Sequence, residues 1–214
     1  MFARIVMIAA VTFASLGAAR AETHLLYLHG CCIRDASDPK AAAYAAVVEE
    51  LRRSGFTVSF DLKTADVGDS ESGLQRKLAA TADQVLGLIA AGEFAENITV
   101  VGHGLGAATA LAASGVIANR RINVILLGGC PANPGIAIDY AKVMGRFLSI
   151  VDTQDRESGS CHGRMPEHVF YKESSVSSPE GGSLFLRTDE ESLRLWLDPL
   201  FSFVTGKTGR GRLR

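Results

Sequence analysis

The sequence predicts an α/β fold: a mostly parallel sheet between two helical layers, forming a three-layer α/β/α sandwich. Two observations carry this expectation. Short apolar runs without helical period alternate along the chain with longer segments that have it, the order expected when strands are followed by covering helices. In the stretch NITVVGHGLGAATAL, residues 97–111, a strand-like run passes through a sharp glycine-flanked turn into an alanine-rich helix. A length of 214 residues with 47% hydrophobic content suits one domain with a good core, and neither a repeat nor an interdomain linker is visible.

Taken in order, the chain opens on MFAR, a short basic start, followed by the apolar run IVMIAAVTFASLGAA and then Ala19-Arg20-Ala21, which puts small residues at the two positions read by a signal peptidase. A cleaved signal peptide is therefore expected over residues 1–21, with Glu22 as the mature start. The apolar run is shorter than the ~20 residues that span a bilayer, so no transmembrane segment is expected in the mature chain. The protein is then exported, to the periplasm or beyond the cell.

The first strand is expected at HLLYL (24–28). AAAYAAVVEELRRSG (41–55) follows as a helix ending at Gly55, and FTVSF (56–60) as the second strand. Across 73–91, Leu74, Leu78, Ala82, Val85, Leu86 and Ile89 fall on one helical face. Further strands are placed at NITVV (97–101), INVILL (122–127), RFLSIV (146–151) and HVFYKE (168–173). The last helix lies in TDEESLRLWLDPLFSFV, with Thr188 as N-cap, acids in the first turn and Pro199 placed to kink it. Residues 22–206 make the domain, and 207–214 a basic, flexible tail.

Charge excludes one class of partner. Losing residues 1–21 removes Arg4 and Arg20 and no acid, so the 22 basic residues fall to 20 against 23 acidic ones, a formal net charge of −3. No nucleic-acid field is expected from that balance. Four cysteines allow three pairings. Cys31 and Cys32 are adjacent, whereas Cys130 and Cys161 each follow an apolar run; if those runs are neighbouring parallel strands, both cysteines emerge at the same sheet edge. Their bond would close a loop of about 30 residues and stabilise by roughly 3–4 kcal/mol on the chain-entropy model.

Chemistry in a parallel sheet gathers beyond the carboxyl ends of the strands. The informative loops are thus HGCCIRD, the glycine turn, DTQDRESGSC and SSVSSPEGGSLF. The turn has the form of a nucleophile elbow, G-x-S-x-G, but it reads Gly102, His103, Gly104, Leu105, Gly106, so the attacking position has no side chain. In order, YLHG, VVGHGLGAATAL, LGGC and LSIVDTQDRESGSC resemble the α/β-hydrolase superfamily from its third strand onward. The closer resemblance is to a small group of bacterial single-domain hydrolases lacking the initial strands, and it covers nearly the whole mature chain.

That resemblance implies a minimal α/β-hydrolase fold and a family order of Ser, acid, His. His29-Gly30 matches the oxyanion-loop motif, in which the backbone N–H of Cys31 and that of Leu105 would hold a negative oxygen. His29 itself is expected to tie the loop by hydrogen bonds. The acid position falls on Asp155, with Asp152 the weaker match and a loop-capping carboxylate the plainer role for either. Where the family carries Gly-His-Gly before its last helix, this chain has Gly181-Gly182-Ser183, so Gly182 replaces the base. His103 leaves the turn in another direction and is not expected to take over, while His162 and His168 read as surface or structural residues.

The sequence therefore reads as an exported pseudo-hydrolase whose retained crevice, around His29, Gly30, Cys31, His103 and Leu105, binds a small ligand or a protein partner. One alternative is an ester or amide hydrolase with a non-standard nucleophile, for which Cys31 or Cys32 could serve as a low-pKa thiolate; their other readings are a vicinal disulfide or two buried small residues. A surface-only interaction module is the third reading. No cofactor is expected, and His29, His103 and Asp155 lack a metal-ligand spacing.

Overall fold

The computed structural model describes residues 22–30, 33, 37–60 and 70–207. The expected signal peptide, Cys31, Cys32 and all of the basic tail beyond Lys207 lie outside the described residues.

Six strands form one sheet in which every neighbouring pair is parallel: β1 (His24–Leu28), β2 (Thr57–Ser59), β3 (Ile98–His103), β4 (Asn123–Leu127), β6 (Arg146–Asp152) and β8 (Phe170–Val176). Their order across the sheet is β2-β1-β3-β4-β6-β8. Parallel neighbours need crossovers, and four α-helices among the described residues occupy the two faces: α1 (Pro39–Arg53), α2 (Glu71–Ala90), α3 (Leu105–Ile117) and α4 (Glu190–Thr205). The central strands are buried on both sides, which is why they read as continuous apolar runs. In β4, Ile125 and Leu127 face the core shared with α1 and α4, while Val124 and Leu126 face the core of α2 and α3. The expected α/β/α sandwich is the fold observed.

Two additional strands escaped the sequence reading. Cys130–Pro131 (β5) and Ser158–Gly159 (β7) form a two-residue antiparallel ribbon beyond the ends of β4 and β6. It carries the Cys130–Cys161 disulfide, whose Cα atoms are 5.1 Å apart and which closes a separation of 31 residues. Because β4 and β6 are parallel neighbours, their following segments leave the sheet on the same side, and both cysteines are buried there.

Local chemistry explains the helix limits. Asp38 caps α1 by accepting from Lys40 N–H, with Pro39 at the first helical position, where its missing N–H costs nothing. Ser70 caps α2 by accepting from Gly73 N–H. At α4 the cap is Asp189 rather than Thr188: the carboxylate accepts from both the N–H and the hydroxyl of Ser192 and holds Arg187 from the other side. The helix runs through Pro199 to Thr205. On α2, Leu74, Ala82 and Val85 are buried as expected, but Leu86 is 43% exposed, since it sits beside the apolar stripe rather than within it.

Candidate functional site

The site lies where β1, β3 and β6 deliver their C-terminal loops to one edge of the sheet. At the end of β3 the chain turns at Gly104, with φ 57° and ψ −122°, and enters α3 at Leu105. Few residues bearing Cβ adopt that backbone conformation without strain. The flanking glycines serve packing instead. A Cβ on Gly102 would stand 2.3 Å from the Gly106 carbonyl oxygen, and one on Gly106 would stand 2.1 Å from that of Leu28, so strand, turn and helix close only without side chains there. Among the described residues a Cβ on Gly104 meets just the Cα of Gly30, at 3.6 Å. The turn has the form of an elbow, and no described side chain fills the space at its centre.

The β1 loop lies opposite. Gly30 donates its N–H to the Tyr44 hydroxyl at 3.0 Å, and a Cβ on Gly30 would come 2.9 Å from that oxygen. His29 is buried, and its Nδ1–H donates to the Gly30 carbonyl, so it ties the loop. Leu105 begins α3, and its N–H has no helical acceptor; Gly104 supplies no side chain to cap that first turn.

One hydrogen-bonded chain joins these loops. Tyr44 Oη lies 3.0 Å from Nδ1 of His103, and His103 Nε2 lies 3.3 Å from the Gly182 carbonyl oxygen. Burial pushes the Tyr44 phenol up to about 12, so it keeps its proton. Burial likewise pulls His103 down to about 4, against the opposing pull of the Gly182 carbonyl and Asp155, while Lys40 lowers it further. The imidazole is therefore neutral, Tyr44 donates to Nδ1, and Nε2–H donates to Gly182. Both ring nitrogens are engaged, and the links run from Gly30 through Tyr44 and His103 to Gly182. The Phe185 ring, 5.7 Å from that of His103, closes the back of the site.

The carboxylates divide by position. Asp152 is buried at the end of β6, where one oxygen accepts from the N–H groups of Gln154 (2.9 Å) and Ser178 (3.3 Å), clamping the β6 loop to the β8 loop. Asp155 faces the crevice. One oxygen accepts from Glu157 N–H at 2.8 Å, while the other lies 2.8 Å from where a Gly182 Cβ would stand. Gly182 itself sits in a 3-10 turn, Gly181–Leu186, held to α4 by the Trp196 indole N–H on the Arg187 carbonyl at 3.1 Å. The structure thus brings together Gly30, His103, Gly104, Gly182 and Asp155. His162 is exposed, and His168 bonds the Val143 carbonyl away from this group. Among the described residues, no group of three or more His, Cys, Asp or Glu could hold a metal ion.

No family model and no curated protein matches the chain. Solved structures match it in shape. MGS-M1, an alpha/beta hydrolase enzyme from a Medee basin deep-sea metagenome library, superposes with a TM-score of 0.52 at 14% identity, covering 87% of this chain and 86% of its own. The chain has the α/β-hydrolase fold. Arabidopsis thaliana SOBER1 matches at TM-score 0.58 and 17% identity, covering 91% of this chain and 100% of its own. Dienelactone hydrolase from Anabaena variabilis matches at TM-score 0.51 and 15% identity, covering 82% and 87%.

Within the α/β-hydrolase fold, the residue that sequence reasoning missed is Tyr44. It is the aromatic residue inside the alanine run of α1, and it holds both the β1 loop and the elbow histidine. The available signal was a phenol placed among small residues on a buried helical face, but its partners are 14 and 59 residues away along the chain.

Proposed function

We propose that this chain is an exported, non-catalytic α/β-hydrolase-like protein whose elbow crevice holds a ligand. One observation carries the reading: the elbow keeps its backbone geometry while the two positions that would bear nucleophile and base, Gly104 and Gly182, have no side chain. Asp155 remains beside Gly182 with no imidazole there to orient, and it satisfies its own loop instead. His103 is no substitute base, since a neutral ring with both nitrogens engaged has no lone pair free to take a proton. Export is supported by the buried Cys130–Cys161 bond, a feature of oxidising compartments. No helix among the described residues is long and apolar enough to cross a membrane.

The test is a set of four proteins: parent, Gly104→Ser, Gly182→His and the double variant, each assayed for p-nitrophenyl ester turnover. No described side chain obstructs the serine, but the histidine needs the Asp155 carboxylate to swing aside from its present 2.8 Å approach. A hydroxyl without a base is a poor nucleophile at neutral pH, so both single variants stay at background and activity rises only in the double variant. Robust turnover by the parent would refute the reading. A thermal-shift ligand screen on the same parent sample tests the crevice, and ligand stabilisation abolished by Gly104→Met locates the ligand there.

A further inference from the structure

A second cavity lies beside the elbow, along β2, the outermost described strand at that side of the sheet. It arises because β2 is only three residues long: Val58 packs toward α1 and α4, leaving the short side chain of Ser59 toward α2. Among the described residues nothing large fills the gap between Ser59 and the flank of α2, where Ala80, Thr81 and Gln84 stand. The resulting cavity is about 620 Å³, within the range that holds a drug-sized molecule. Leu26 and Leu28 supply apolar walls on the α2 side, and Val58 and Phe60 line it on the α1 side of β2.

Among the described residues the charge around it is one-sided. Arg52, Arg76 and Lys77 line the cavity, and no Asp or Glu is among its described lining residues. Arg52 donates to the Val58 carbonyl at 3.3 Å rather than to a carboxylate, and Arg76 is in no ion pair among the described residues. Lys77 Nζ lies 3.5 Å from the His29 carbonyl. Two guanidinium groups with no carboxylate partner among the described residues, at the mouth of an apolar cavity, favour an anionic head on an apolar body. The cavity meets the side of α2 and not its N-terminus, so it lacks the converging amides that suit a phosphate.

We propose that this cavity binds an amphipathic carboxylate, its head at Arg52 and Arg76 and its apolar body on the α2 side of β2, against Leu26 and Leu28. The cavity borders the elbow crevice at His29, but its arginines lie outside that crevice and the proposal does not depend on whether the elbow is catalytic.

Isothermal titration calorimetry on the full disulfide-bonded chain tests it, with octanoate, octylammonium, 1-octanol and inorganic phosphate as probes. Octanoate is expected to bind in the submillimolar range and to weaken as salt is raised, while the other three bind at least about tenfold more weakly. Arg52→Glu and Arg76→Glu, both at exposed positions, each weaken octanoate binding about tenfold or more without moving the thermal midpoint of the free protein. Gly104→Met leaves octanoate binding unchanged. No octanoate binding, equal binding of octanol, tighter binding of phosphate, or indifference to both arginine variants would each overturn the proposal. If binding is lost in Gly104→Met but kept in the arginine variants, the ligand sits at the elbow, which refutes this site while supporting the crevice reading.

Discussion

Replacing Gly104 with alanine separates the elbow's backbone conformation from the packing that surrounds it. At φ 57° and ψ −122° a residue with Cβ is held in a sparsely populated region, a cost of about 1–3 kcal/mol. Sterically the change is mild, because among the described residues the new methyl meets only Gly30 Cα, at an ordinary contact distance of 3.6 Å. Gly102→Ala and Gly106→Ala reverse that balance: their methyls would enter backbone at 2.3 Å and 2.1 Å, and flexible side chains cannot relieve such contacts. Each is expected to cost more than about 4 kcal/mol, in the range reserved for severe core disruption. For a domain of this size 1 kcal/mol moves the thermal midpoint by about 2–4 °C, so Gly104→Ala should lower it by a few degrees while the flanking variants fail to fold or melt far earlier. Urea unfolding followed by circular dichroism orders the three. Equal costs at all three positions, or a stabilised Gly104→Ala, would refute the argument that this turn is a strained elbow.

Further expectations concern the network and the disulfide. Tyr44→Phe leaves the Gly30 N–H and His103 Nδ1 without their partner and should destabilise by about 2–4 kcal/mol in urea titrations; a change below about 0.5 kcal/mol would show the phenol to be idle. His103 has a folded pKa of about 4 against 6.5 unfolded, so the unfolded chain takes up the proton first and stability falls as pH drops from 6.5 towards 4, by roughly 3 kcal/mol in all. The pH slope should shrink in His103→Gln, and an unchanged slope would contradict the assignment. Cys161→Ser should cost about 3–4 kcal/mol for opening a 31-residue separation, with loss of the disulfide checked by a non-reduced peptide map.

The sheet was legible because its strands are buried on both faces. Runs such as NVILL have no polar alternation to confuse with a surface strand, and the intervening helices carry their own caps and stripes. The β5–β7 ribbon was not legible, because two residues carry no period and their pairing is settled by the neighbouring strands and the disulfide. At the site, glycines at 102, 104 and 106 announced a tight turn, but not that two of them are packing requirements and one a conformational one. Thr188 and Asp189 are both acceptable caps by type, and only the approach of Ser192 selects the carboxylate. Tyr44 and the arginine-lined cavity depend on partners distant in sequence, where local pattern is silent.

The central claim is that this hydrolase fold lacks a working nucleophile. Incubating the disulfide-bonded chain with p-nitrophenyl acetate and, separately, with a fluorophosphonate probe, then measuring released nitrophenol and intact mass, tests it most directly. The account predicts release at the buffer rate and no mass increment. Turnover above background, with an adduct mapped to one residue, would contradict it; if Cys31→Ala or Cys32→Ala abolished that turnover, the chain would be a cysteine hydrolase.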